Sequence, residues 1–437
     1  MGRAAGLAGA LLLGAAACGG GGDTPAPDAA IGPTPNAARG ISDTALAFDV
    51  TALTATATIT FDADSAPGAS LEVGDLVIET VRSAGQDLAF AVAAGSGGAQ
   101  LDLALPASDA ALPVEITYRW KHHEGFEGAS AAGYTLVWPY HCGNLFPCHS
   151  APEDGTTFSL ALAGVPAGKT AVYPATIPSE APSYQIAWAI EDYTELALGT
   201  TTAGTQLVVW YLPGELAKAR QGTEYLVAAF DWLEQTLGPY RFGTKAGTVS
   251  TKWGAGAFGG MEHHPYWHVG SAALGDVETN THEAVHGWFG GGIRIRCWED
   301  FVLSEGTTTY LAGRALDVVA PAVGAAIWQS YEADLGDVAP TDKVWPASCG
   351  AIDILTDNLF TRAPYMRGAF FYRGVALKVG AAKLDEALAA FWATNQTRGA
   401  SMADMLATIA AVTGYDATTC ANMWLRSTTI PAVGACP

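Results

Sequence analysis

The chain has 437 residues, 49% of them apolar, and carries 22 Lys and Arg against 43 Asp and Glu, a formal net charge of −21. No basic cluster could follow a phosphate backbone, which argues against nucleic acid as a partner. Past the first residues no long apolar run occurs, so no transmembrane helix is expected.

At the N-terminus Arg3 precedes an apolar run from Ala4 to Ala17. The run is too short to span a bilayer and suits the h-region of a signal peptide over residues 1–18. Cys18, followed by glycines, resembles a bacterial lipoprotein cleavage site, although Ala15 stands where Leu is more usual. The alternative is an ordinary signal peptide cut nearby. Residues 19–40 are rich in Gly, Pro and Ala without apolar periodicity, which predicts a flexible tether. The expected location is periplasmic or cell-surface, with membrane contact only through a lipid on Cys18.

From residue 41 to about 212, segments such as "TATATITF", "LPVEITYRW" and "TQLVVWYLP" alternate apolar and polar residues and are rich in Val, Thr and Ile. That period of two predicts strands, and the turn signals between them predict antiparallel sheets packed as a sandwich. An unrelated β module in front of the rest is the alternative. His122 and His123 in "KHHEGFEG" read as a polar loop. After Pro213 the apolar spacing becomes three and four, in "ELAKARQGTEYLVAAFDWLEQTLG", "AKLDEALAAFWATN" and "SMADMLATIAAVTG", which predicts helices to residue 437.

Setting Cys18 aside leaves six cysteines. An even set in an exported chain suggests disulfides. Local spacing favours Cys142–Cys148 and Cys420–Cys436, with Cys297–Cys349 by elimination. Six cysteines still allow fifteen pairings, and buried free thiols are the alternative.

The chemistry-bearing stretch is "THEAVHGWFGGG". In His282-Glu283-x-x-His286 the two imidazoles lie one turn apart on a helix face, so both can reach one ion while Glu283 projects beside them. A solvated helix with two unrelated histidines is the bland reading. Glu305 follows His286 after eighteen intervening residues, within "CWEDFVLSEGTTTYLAG", a segment of helical spacing. Two His and one Glu, with a fourth position open, is a standing solution for a catalytic zinc.

Taken together, "HEAVHGWFGGGIRIRCWEDFVLSEGTTTYL", the upstream "FGGMEHH" and the downstream "APYMRGAFFYRG" resemble the alanyl aminopeptidase and leukotriene hydrolase family of gluzincin zinc peptidases. Trp288, Phe289, Gly290, Trp298, Leu303, Glu305 and Gly306 fall where that family places them. "FPCHSAPEDGTTFSLAL" is similar to part of the family's N-terminal β domain. The resemblance implies an N-terminal antiparallel β-sandwich followed by a thermolysin-like, mainly helical catalytic domain. It also implies one Zn2+ per chain on His282, His286 and Glu305, with Glu283 as general base and Tyr365 donating to the developing oxyanion. Gly259, Gly260, Met261 and Glu262 would bind a peptide, Gly259 and Gly260 on an edge strand and Glu262 at the substrate's α-amino group.

The chain departs from the family in three places. His263 stands for the Asn of G-x-M-E-N, the stretch to His282 is shorter, and Trp138 falls near the position of a second amine ligand. No counterpart of the large helical C-terminal domain is expected, which leaves an open cleft. The implied function is an aminopeptidase acting on peptides. An endopeptidase of the same fold and an inactive surface metal-binding or adhesion module are the alternatives. A second metal site on His264 and His268 lacks an evident carboxylate partner. The oligomeric state and the preferred side chain are not legible.

Overall fold

Over Thr54–Phe61 the alternation puts Ala55, Ala57, Ile59 and Phe61 inside, while the threonines between them point the other way. The computed structural model describes residues 32–437 apart from 96–97, 138–139, 255–258, 354–356 and 358. The expected signal segment, most of the tether and Trp138 lie outside the described residues.

Thr54–Phe61 sits inside a seven-stranded sheet ordered Thr176–Ala181, Thr156–Ala163, Ile41–Asp49, Thr54–Phe61, Leu112–Arg119, Val77–Ser83 and Gln86–Asp87. Its inner face meets a three-stranded sheet of Ala69–Gly74, Gly98–Leu103 and Phe90–Gly95, which contributes Leu71, Val73, Leu101 and Leu103 to the same core. The expected sandwich is thus present, with one difference. Ile41–Asp49 pairs parallel to Thr156–Ala163, Leu46 opposite Leu160. Parallel neighbours need a long connection, and residues 50–155 supply it while building most of the other strands.

A second, five-stranded sheet follows the order Thr194–Thr200, Gln206–Tyr211, Lys245–Thr251, Tyr266–Gly270 and Gly260–Met261. Gln206–Tyr211, grouped by its pattern with the N-terminal strands, pairs parallel to Lys245–Thr251 and belongs to this sheet. Alternation identifies a strand but not its partner. The crossover between these two strands carries helices α1 (Leu216–Gly222) and α2 (Leu226–Thr236).

Among the described residues longer helices follow, α3 (Val277–Val285), α4 (Phe301–Val319), α5 (Pro321–Gly336), α6 (Arg362–Val379), α7 (Ala381–Asn395) and α8 (Met402–Thr413), and after them the short helix Thr418–Ala421. At the crossing of α4 and α6 backbone meets backbone: a β-carbon on Gly306 would lie 2.7 Å from the Gly368 Cα. No other residue fits such an approach. Buried Arg294 ties the helices to the strand-rich part, donating to the Glu153 carbonyl at 2.8 Å, the Glu180 carboxylate at 3.2 Å and the Thr397 carbonyl at 2.9 Å.

All three expected disulfides, Cys142–Cys148, Cys297–Cys349 and Cys420–Cys436, are formed. Among the described residues no helix is long and apolar enough to cross a membrane. His122 and His123 lie in the loop between strands Leu112–Arg119 and Glu127–Ala129.

Candidate metal centre and cleft

Helix α3 begins at Asp276, whose carboxylate accepts from the Glu278 N–H at 3.2 Å. Buried Asn280 fastens the helix to the central sheet by accepting from the Thr248 hydroxyl at 2.8 Å. From behind, His264 Nε2 donates to the Glu283 backbone oxygen at 2.8 Å, so its Nδ1 accepts from the Tyr240 hydroxyl at 2.8 Å. Both nitrogens of His264 are thereby committed to bracing α3, which accounts for this histidine without a second metal. His268 is buried against His263, with ring centroids 4.7 Å apart.

The helix presents His282 and His286 to Glu305 on the first turns of α4. His282 Nε2 lies 3.2 Å from Glu305 Oε2, His286 Nε2 lies 3.4 Å from it, and the two Nε2 atoms are 3.2 Å apart. A tetrahedral zinc with bonds of about 2.0–2.1 Å has ligand-to-ligand edges of roughly 3.3–3.4 Å, so this donor triangle fits the ion. His286 Nδ1 donates to the Phe289 carbonyl at 2.8 Å, which fixes the tautomer with Nε2 free to ligate. That carbonyl is aimed by the turn at Gly290, whose φ of +98 favours glycine. Behind His282, Glu278 lies 3.8 Å from Nδ1 and accepts from the Tyr331 hydroxyl at 2.5 Å.

The cluster's electrostatics suit a cation. Burial works against a charge on His286, but Glu305 and Glu262 outweigh it and lift the imidazole to about 10. Burial likewise opposes ionisation of Glu305, yet His286 and His282 pull it down to about 2. Glu283 is different: burial pushes its carboxyl up to about 8, with the two histidines only partly offsetting this. Its Oε2 is buried without a hydrogen-bond partner among the described residues. Gly260 makes the room, because a β-carbon there would overlap the Glu283 carboxylate.

Along the sheet edge, Gly260–Met261 is the terminal strand, antiparallel to Tyr266–Gly270. Gly259 stands one residue before the strand rather than in it, although its carbonyl still accepts from the Gly270 N–H at 2.9 Å. Glu262 is buried, and its carboxylate, a Glu283 oxygen and a His286 nitrogen lie within 4.8 Å of one another. Tyr365 on α6 stacks on the His282 ring at 5.9 Å. Burial and then the charges of Glu305, Glu262 and Glu283 hold its phenol well above the ordinary value, so it remains a donor.

A cavity of about 470 Å³ joins these groups. Its walls include Tyr184, Glu278, Tyr331, Asp334 and Arg362, none of which any motif singled out. Glu278 sits four residues before His282, a helical spacing that could have flagged it. For Tyr184 and Tyr331 no local signal exists.

A buried His–His–Glu triangle beneath a sheet's edge strand, on a strand-rich part followed by helices, is an arrangement that could hold a zinc ion. Residues 272–424 match the peptidase family M1 domain. Leucine aminopeptidase 2 of Phaeosphaeria nodorum is 29% identical over 206 residues, 41% of this chain and 32% of that protein. The protein of the same name from Aspergillus niger is 24% identical over 316 residues, 63% and 48% of the two chains. The chain spans less than half the length of either relative. The M1 zinc metallopeptidase of Deinococcus radiodurans shares the fold, with a TM-score of 0.77 at 19% identity over 91% of this chain and 96% of that one. A two-domain M1 zinc metallopeptidase variant bound to L-tryptophan aligns with a TM-score of 0.75 at 18% identity, over 91% and 97% of the two chains. Over residues 272–424 the chain is thus similar to the alanyl-aminopeptidase-like gluzincins, and over most of its length it shares their fold.

Proposed function

We propose that this chain is a zinc-dependent aminopeptidase that removes N-terminal residues from peptides. The observation that carries the reading is the triangle of His282, His286 and Glu305 beside the unpartnered Oε2 of Glu283, in one cavity with Glu262. Zinc in that triangle would polarise the scissile carbonyl and acidify a water molecule.

The protein's own groups divide the remaining work. The edge strand Gly260–Met261 offers backbone hydrogen bonds to an extended peptide, and Glu262 offers a carboxylate to its terminal ammonium. Glu283 Oε2 takes the proton of the attacking water and hands it to the departing amine. The Tyr365 hydroxyl donates to the oxyanion that develops on the carbonyl, an interaction that strengthens in the transition state. In this reading the catalytic domain takes in the strands Thr194–Thr200 and Gln206–Tyr211, whose sheet continues into Lys245–Thr251, and the β domain precedes them. Export is supported by the three disulfides, which persist in oxidising compartments. A lipid on Cys18 rests on the sequence alone.

Product analysis on matched free and N-acetylated peptides tests the reading. Stepwise release of N-terminal residues from the free peptides, with the acetylated ones spared, is expected. Internal cleavage of both at equal rates would overturn it in favour of an endopeptidase.

A further inference from the structure

Helix α3 runs along the cavity as a ruler. An α-helix rises about 1.5 Å per residue, so Glu278, His282 and His286 stand at successive turns roughly 6 Å apart. Glu262 lies beside Glu283 and His286, at one end of this row. Glu278 stands at the other end, past the metal triangle, and lines the same cavity with Tyr331, Asp334 and Arg362. A peptide with its terminal ammonium at Glu262 and its first carbonyl at the triangle therefore carries its second residue toward Glu278.

The charges at that end do not cancel. Asp334 is paired with Arg362. Asp276 is taken up by the start of α3, accepting from the Glu278 N–H at 3.2 Å and the Thr279 hydroxyl at 2.7 Å. Glu278, its side chain 25% exposed, has no Lys or Arg within ion-pair distance among the described residues. Its Oε1 accepts from the hydroxyl of buried Tyr331 at 2.5 Å, which holds the carboxylate in place and leaves Oε2 over. His282 Nδ1, 3.8 Å from Oε1, is beyond hydrogen-bond reach. An imidazole that ligates a metal is moreover neutral.

We propose that Glu278 is a specificity-determining residue that favours lysine or arginine as the second residue of the peptide, its Oε2 receiving the side-chain ammonium or guanidinium. The inference rests on the aminopeptidase reading, which fixes the direction of the peptide, and adds a side-chain preference to it. Two further features support it. Buried Glu283 lines this cavity with an Oε2 that has no partner among the described residues, which marks the space as one a substrate fills. The bond from Tyr331 orders the Glu278 carboxylate beforehand, so little rotamer freedom is lost when a cation arrives.

The test uses the zinc-loaded protein and two tripeptides that begin with Ala and carry either Lys or norleucine second, so that they differ by one ammonium group. Exposed ion pairs and truncated buried ones bracket a partly buried pair, which gives Lys an advantage of about five- to thirtyfold in kcat/KM for release of Ala. Added salt should shrink that advantage. In Glu278→Gln the ratio of Lys to norleucine should fall to within about twofold of unity. Because the ratio compares two substrates on one preparation, loss of folded or zinc-loaded protein does not move it. Arg362→Gln, at a side chain 63% exposed, frees Asp334 and should raise the ratio. Equal release of Ala from both tripeptides by the unsubstituted protein, or a ratio that Glu278→Gln leaves unchanged, overturns the role of Glu278 while the aminopeptidase reading stands. Failure to release Ala from either tripeptide, or equally fast cleavage of their N-acetylated forms, removes the aminopeptidase reading and this inference with it.

Discussion

Gly260 lies so close to Glu283 that a β-carbon on the glycine would overlap the Glu283 side chain, 2.5 Å from its carboxyl carbon. The strand cannot yield easily, because Gly260 and Met261 are paired with Val269 and His268. In Gly260→Ala the Glu283 side chain must therefore swing aside. We expect kcat to fall about ten- to a hundredfold, since small misplacements of reacting groups cost that much, with zinc content unchanged. Unaltered kcat would show that Glu283 does not work from this position.

Glu283→Gln keeps the shape and removes the base. The ligand set is separate from Glu283, so metal analysis should still find one zinc per chain. Turnover should drop about 10²–10⁴-fold, the usual share of general-base catalysis. Substantial residual activity would assign the proton transfer elsewhere.

Zinc binding should depend on pH. With its pKa raised to about 10, His286 holds a proton through neutral pH, and ligation requires that proton to leave. Affinity consequently rises as pH rises, by about tenfold per unit for each proton released. Chelator competition from pH 6 to pH 8 measures it; a flat profile would contradict the cluster's electrostatics. Chelation itself should abolish activity, and zinc should restore it.

Acid should destabilise the fold through His268. Burial lowers its pKa to about 3, against an ordinary value of 6.5, and its hydrogen bond with the Thr135 backbone only partly opposes this. Below about pH 6.5 the unfolded chain binds a proton that the folded chain refuses. The stabilisation is complete above that pH and is lost progressively down to about pH 3, to the extent of a few kcal/mol. Urea unfolding in chelator, which removes any contribution from metal release, should give a smaller acid loss for His268→Asn than for the unsubstituted protein.

The metal triangle was legible because its geometry is mostly local. One helical turn sets His282 against His286, and Glu305 follows on the next helix within a recognisable segment. The glycines of the same motifs carry physical instructions too: Gly290 for its φ, and Gly306 and Gly368 for the helix crossing. Residues brought in by tertiary packing were not legible. Tyr184 arrives from a turn 78 positions before Glu262, and Tyr331 from α5. His264 was weighed as a metal ligand because its spacing to His268 mimics one, whereas both of its nitrogens brace α3. The strand Gln206–Tyr211 was identified by its pattern yet grouped with the wrong sheet, since alternation records burial and not neighbours.

Contact of backbone on backbone between α4 and α6 leaves nothing compressible at that crossing. Glu305 and Tyr365, each within a turn of it, consequently travel as one rigid body. Any breathing of the cleft falls on the opposite wall, the strand Gly260–Met261, which among the described residues is hydrogen-bonded on one side only. A peptide pairing with that strand would stiffen the compliant wall, so that the ligand itself supplies the last restraint on the cleft's width.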